Sequence, residues 1–182
     1  HIEISKNAAA EGMVLLKNET KLLPFNYGTK IAIFGKACFD YVKGGGGSGD
    51  VTVSYTRNLY DGLKMMNGHV NIFEDLSDFY RENVLNQYKE NVAPGQTVEP
   101  DIPNDLLLKA KAFTDTAVIT ICRFSGEGYD RFDDFCLFEK EKEMVDTVCN
   151  NFKNVIVILN VGGMVDTTWF KNNDKISSVL LM

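Results

Sequence analysis

The chain has 182 residues, 45% hydrophobic and 24% charged, with 19 Lys and Arg against 25 Asp and Glu for a net charge of -6. That is enough apolar material for one full core and too short for two comfortable ones, so residues 1–182 read as a single domain. The acidic balance and scattered lysines give no electrostatic case for nucleic acid or an anionic membrane as partner, and no apolar stretch is long enough to span a bilayer.

Taken in chain order, Ser5 to Asn18 has a helical pattern: Ile4, Ala8, Gly12 and Leu15/Leu16 recur near the helical period. Pro24 ends this opening segment. Lys30 to Phe34 is a short apolar run bounded by Gly28 and Gly35 and predicts a buried strand. A glycine loop follows, Gly44 to Asp50, and then Val51-Thr-Val-Ser, which is β-like. Thr56 is positioned to cap a helix carrying Leu59, Leu63 and Met66. Asn67-Gly68 turns the chain into a second strand, Val70 to Phe73.

Residues 75–92 predict a polar surface helix, and Val92 to Pro103, with three prolines, a loop. Asn104 suits the cap of a short helix through Leu108, and Thr116 to Cys122 a third strand. Arg123 to Phe135 is a loop crowded with charged and aromatic residues. Residues 138–152 are amphipathic, with Met144, Val145, Val148, Cys149 and Phe152 on one face. Val155 to Leu159 is a fourth strand. Gly162-Gly163 leads into a short helix near Trp169, and Ser178 to Met182 begins a fifth strand.

Apolar strands alternating with helices imply an α/β fold: a mostly parallel sheet with right-handed crossovers, flanked by helices on both faces in flavodoxin-like layering. The chain opens on His1 without a signal-peptide pattern and stops inside an apolar run, which leads us to expect that more polypeptide follows. Cys38, Cys122, Cys136 and Cys149 form no C-x-x-C pair, so zinc has little support. Cys122 and Cys149 sit in apolar patterns as reduced core residues, which favours a reducing, cytoplasmic setting.

In such folds ligands meet the loops at the carboxyl ends of the strands, and two loops stand out there. In the glycine loop, Gly44, Gly46 and Gly49 satisfy G-x-G-x-x-G. A dinucleotide fingerprint needs its glycines directly after the strand and opening a helix, whereas here residues 36–43 intervene. No Gly-Lys-Ser/Thr completes a phosphate loop. What remains is either a flexible surface loop or one whose missing side chains let the backbone approach a ligand, with Ser48 as the hydroxyl at its tip.

In the second loop, Glu127 lies between two glycines, Arg123 and Arg131 can make bidentate contacts, and Phe124, Tyr129 and Phe132 offer flat apolar faces suited to sugar rings. Three readings stay open: a solvated charged loop, a cation site from Glu127, Asp130, Asp133 and Asp134, or a glycosidase carboxylate. Ser/His nucleophilic catalysis has little support, because the histidines are His1 and His69 and no G-x-S-x-G elbow is present.

The order and spacing of several segments resemble the α/β sandwich domain of glycoside hydrolase family 3, the β-glucosidase family. They are Ala8 to Asn18 with Leu22 to Phe25, Lys30 to Gly35, Gly46 to Val51, Arg123 to Arg131, and Asn154 to Asn160 with Gly162-Gly163. The resemblance implies a larger protein in which a separate (β/α)8 barrel supplies an aspartate nucleophile. It further implies that Glu127 is the general acid/base for hydrolysis of a β-linked glucoside or related glycoside. Ser48, Arg123, Phe124, Ser125, Tyr129, Asp130 and Arg131 would bind substrate or support the loop, with no metal and no cofactor.

Overall fold

A computed structural model describes residues 1–128 and 131–182. The residues form one six-stranded sheet: β1 (Val14–Asn18), β2 (Thr29–Phe34), β3 (Val70–Ile72), β4 (Thr116–Arg123), β5 (Asn154–Val161) and β6 (Ile176–Leu181), in the order β1-β6-β5-β4-β2-β3. Every neighbouring pair is parallel except β1 with β6. The helices are α1 (Ile2–Gly12), α2 (Leu59–Met65), α3 (Glu74–Lys89), α4 (Asn104–Phe113), α5 (Glu139–Asn151) and α6 (Thr168–Lys171). The α/β sandwich with a mostly parallel sheet is thus present. Among the described residues no helix is long and apolar enough to cross a membrane.

Alternate strand residues face opposite sides, so each central strand feeds two cores. Ala32, Phe34, Ile119, Ile121, Val157 and Leu159 pack beneath α3, α4 and α5. Ile31, Ile33, Val118 and Ile156 face Leu22, Leu23 and Phe25 and the apolar side of α2. Helices therefore cover both faces, but unequally. All eight residues of β4 are buried, which explains its near-continuous apolar sequence.

Several local expectations are corrected. The opening helix stops at Gly12, and Val14 to Asn18 is an edge strand instead of its last turn. Val14 and Leu15 pair with Leu181 and Leu180, so tertiary pairing overrides a helical period that rested on two adjacent leucines. The cap of α2 is Asn58, whose Oδ1 accepts the Asp61 N–H at 2.8 Å, and not Thr56. Helix α3 lies on the surface as expected but is not polar all round: Leu76, Tyr80 and Val84 are buried, while Asp75, Asp78, Glu82 and Lys89 are exposed. Helix α4 runs past Leu108 to Phe113, with Asn104 as its first residue and not its cap. Val51 to Ser54 forms no strand. Cys38, Cys122 and Cys149 are buried free thiols, whereas Cys136 is exposed.

The carboxyl end of β2 carries a buried polar cluster that the sequence reading did not single out. Asp40 is fully buried and accepts from the Lys36 ammonium at 3.0 Å, Tyr88 Oη at 2.6 Å, Gly95 N–H at 2.5 Å, and both the N–H and hydroxyl of Thr97. Burial alone would raise its pKa. The Lys36 charge and the Thr97, Tyr88 and Gly95 donors outweigh that and hold it below the ordinary value. Nearby, buried Glu99 accepts the Lys36 N–H through Oε2 at 2.9 Å, while its Oε1 has no partner among the described residues. The Tyr80 hydroxyl is likewise unpartnered among the described residues.

Burial pushes the Glu99 carboxyl up to about 7, against the opposing pull of the Lys36 N–H and the Lys36 charge. The fold therefore favours the protonated carboxyl. Between the ordinary value of 4.5 and about 7 the native state keeps a proton that the unfolded chain has released. Stability is expected to fall as pH rises across that window, by about 3 kcal/mol in total, and to level off above it. Urea titrations of wild type and Glu99→Gln check this: the variant is expected to lose that slope.

Candidate active-site loops

The loops after β2 and β4 meet because the strands are neighbours. Two side chains steer the first loop toward the second. Asp40 fixes the chain leaving β2, as above. Asn160 on β5 then accepts the Val42 N–H at 2.8 Å and donates to the Val42 carbonyl at 3.1 Å, replacing a strand partner for that residue. From there the glycine loop reaches residues 124–127. Gly46 N–H donates to the Ser125 carbonyl at 2.9 Å. Ser48 donates to Glu127 Oε2 twice, from its N–H at 3.2 Å and its hydroxyl at 3.0 Å.

Contact this close requires glycine. A Cβ on Gly46 would lie 2.7 Å from the Phe124 ring. A Cβ on Gly47, which has φ +78, would lie 2.8 Å from both Cβ and Oε2 of Glu127. The run of glycines is thus a surface pressed against the β4 loop. Val51 leads away from it without forming the helix that a dinucleotide site would need.

The root of the β4 loop is Arg123. It is 3% exposed, and all five of its donors are used. Nη1 and Nη2 grip Glu141 Oε1 and Oε2 at 2.7 and 2.6 Å. Nε reaches the Asp134 carbonyl at 2.7 Å, and the remaining donors reach the carbonyls of Cys122 and Cys136. Its guanidinium also stacks on Phe138 at 4.8 Å. Glu141 Oε2 in turn accepts the Phe138 N–H at 2.9 Å at the start of α5. Arg123 therefore supports the loop, and no donor is left over for a substrate.

The other candidate residues divide by position. Phe124 is half-buried under Gly46 and Gly95, so it is a wedge and not an open platform. The Ser125 carbonyl ties the two loops together, while its Oγ is buried without a partner among the described residues. Arg131 ties the loop to its neighbour after β5, donating to the Met164 carbonyl with Asp134 3.8 Å away. Phe132 is 84% exposed. Ser125, Arg131, Phe132 and Phe135, together with Gly162 to Met164, line a cleft of about 590 Å³. Tyr129 and Asp130 lie outside the described residues. Glu127 and Ser48 are exposed at the tip.

The Ser48 N–H, then its hydroxyl, lower the Glu127 pKa below the usual carboxylate value. As it stands, Glu127 is an anion. Of the four carboxylates in the cation reading of this loop, Asp130 lies outside the described residues; among the described residues no three His, Cys, Asp or Glu side chains gather as a metal site.

Residues 13–182 match the family model described as the glycosyl hydrolase family 3 C-terminal domain. The chain belongs to this family. It is 52% identical to Beta-glucosidase A of Butyrivibrio fibrisolvens over 206 aligned residues, covering all of this chain and 25% of that protein. It is 31% identical to a Beta-glucosidase of Ruminococcus albus, covering 91% of this chain and 18% of that one. Among solved structures it superposes on a beta-glucosidase from Paenibacillus barengoltzii with TM-score 0.88 and 31% identity, over 98% of this chain and 21% of that one. For beta-glucosidase 3B from Thermotoga neapolitana, solved with α-D-glucose, the TM-score is 0.85 and the identity 34%, over all of this chain and 26% of that one. The chain thus spans about a fifth to a quarter of these relatives' length, and α1 precedes the matched family domain.

Removing one partner of a buried ion pair leaves an uncompensated charge, at about 3–5 kcal/mol. Glu141→Leu is expected to destabilise by that amount and to release the β4 loop, read as a lower denaturation midpoint together with faster amide exchange at Phe138. A loss below about 1 kcal/mol would contradict the role given to this pair.

Proposed function

We propose that this chain is the domain of a retaining β-glycosidase that supplies the general acid/base, Glu127, to a site completed by a (β/α)8 barrel in the same protein. The observation that carries the reading is the mounting of Glu127. A pinned loop root ends in a glycine-flanked, exposed carboxylate, engaged only by Ser48 among the described residues. Membership of the family and the beta-glucosidase relatives support it.

The chemistry needs two carboxyl groups about 5–5.5 Å apart. A carboxylate nucleophile from the barrel attacks the anomeric carbon as the C–O bond to the leaving group breaks, and Glu127 gives its proton to the departing oxygen. Water then attacks the glycosyl ester, passing a proton back to Glu127 and freeing the nucleophile. A proton donor working near neutrality must have a raised pKa, whereas Ser48 and open solvent lower that of Glu127. Docking of the barrel would reverse the sign by removing water and placing a second negative charge nearby. The 590 Å³ cleft and the exposed ring of Phe132 favour a second reading, a non-catalytic carbohydrate-binding module, and nucleotide binding is less well supported still.

Glu127→Gln in the full-length protein separates these readings. With a glycoside of poor leaving ability, kcat/KM is expected to fall about 10²–10⁴-fold. An activated aryl glycoside should retain most of its first step, and azide should restore turnover as the glycosyl azide. The 182-residue chain alone is expected to hydrolyse neither substrate. Undiminished hydrolysis of the poor substrate by the variant would favour the binding-module reading.

A further inference from the structure

Glu127 has two carboxyl oxygens, and the glycine loop engages one of them. Both Ser48 donors converge on Oε2, and among the described residues no hydrogen bond reaches Oε1. One of the two donors is a backbone N–H, which cannot become an acceptor. A proton placed on Oε2 would oppose that N–H, so a proton added to the group goes to Oε1. The contact is held from both sides. Gly46 N–H is tied to the Ser125 carbonyl at 2.9 Å, and the left-handed Gly47 leaves no room between the loop and Glu127.

We propose that Ser48 is a positioning residue for the reaction. It holds Oε2 bare, so that the transferable proton is carried on Oε1, the oxygen the glycine loop leaves free. The inference rests on Glu127 being the acid/base. In the first half-reaction the proton leaves Oε1 for the glycosidic oxygen as its bond to the anomeric carbon breaks, and the carboxylate that remains keeps its two donors. In the second, water loses a proton to the same Oε1 as its oxygen bonds to the anomeric carbon. Ser48 thus favours the first half by stabilising the carboxylate that proton transfer leaves behind, and in the second it holds that carboxylate with Oε1 turned to the incoming water. No charged side chain among the described residues perturbs Glu127 here, so the two Ser48 donors are the groups that bias its proton.

The test is a double-mutant cycle in the full-length protein, with Ser48→Ala, Ser48→Thr, Glu127→Gln and the Ser48→Ala/Glu127→Gln pair. Ser48 is exposed, so unchanged melting temperatures are expected throughout. For a glycoside with a poor leaving group, Ser48→Ala is expected to lower kcat/KM about tenfold. It should also move the basic limb of the pH profile upward, because losing a donor to the carboxylate makes the proton harder to release. Ser48→Thr keeps both donors and should restore both values. In the Glu127→Gln background Ser48→Ala should have no further effect. Multiplicative losses in the cycle, or a basic limb that stays in place, would overturn the positioning role while leaving Glu127 as the acid. Full activity of Glu127→Gln on the poor substrate would overturn the acid assignment itself, and this proposal with it.

Discussion

The buried pair between Arg123 and Glu141 is the constraint on which the rest of the candidate site depends. A guanidinium and a carboxylate taken out of water are expensive to hold unless every donor and acceptor is answered. Here all five Arg123 donors find oxygens, and three of these are backbone carbonyls of Cys122, Asp134 and Cys136. The pair joins the end of β4, the return limb of its loop and the start of α5. A long excursion from the sheet thereby becomes a loop with a fixed root and a free tip. Replacing the pair with apolar side chains could match its stability. It could not gather those carbonyls, so the pair's contribution is to conformation more than to free energy.

The free tip is steadied from outside. Glycine at 46 and 47 is usually read as slack in the chain. In this protein it permits contact at distances that any Cβ would forbid. The glycine loop and the β4 loop are two half-structured segments that define one another, with Asp40 and Asn160 aiming the first and Arg123 rooting the second. The arrangement fixes the place of a carboxylate. It does nothing to desolvate it.

How much of this was legible in the sequence follows from how local each cause is. Strands β2, β4 and β5 were readable because burial on both faces leaves an unbroken apolar run. Strand β1 was not, since its partner lies about 160 residues away, the separation of the Asn18–Ser178 hydrogen bond. Both candidate loops stood out by composition. Their contact did not, because Ser48 and Glu127 are 79 residues apart and meet only through the adjacency of β2 and β4. The family resemblance, and not spacing, singled out Glu127. Arg123 read as a loop cation able to grip an acidic neighbour, without naming which, although a signal for the partner was present: Glu141 precedes Met144, Val145 and Val148 at three, four and seven residues, on the buried face of α5. A carboxylate on an apolar helical stripe calls for a buried cation. Lys36 and Asp40, four residues apart after β2, were a similar unread pair.

Under the proposed acid/base role, the electrostatics of Glu127 give a reason to place such a residue on a domain separate from the nucleophile. A carboxyl kept protonated near neutrality must be desolvated or held beside another negative charge, and Glu99 shows the first at the cost of being sealed in the interior, away from any substrate. An exposed carboxyl has access but stays ionised, as Glu127 is. A single rigid surface cannot easily meet both demands. Two surfaces can, when one presents the carboxyl on a steadied tip and the other brings the apolar wall and the opposing charge. On this view the depressed pKa of Glu127 does not conflict with an acid role. It is the state expected of the half that supplies geometry, with desolvation left to the half that binds the sugar.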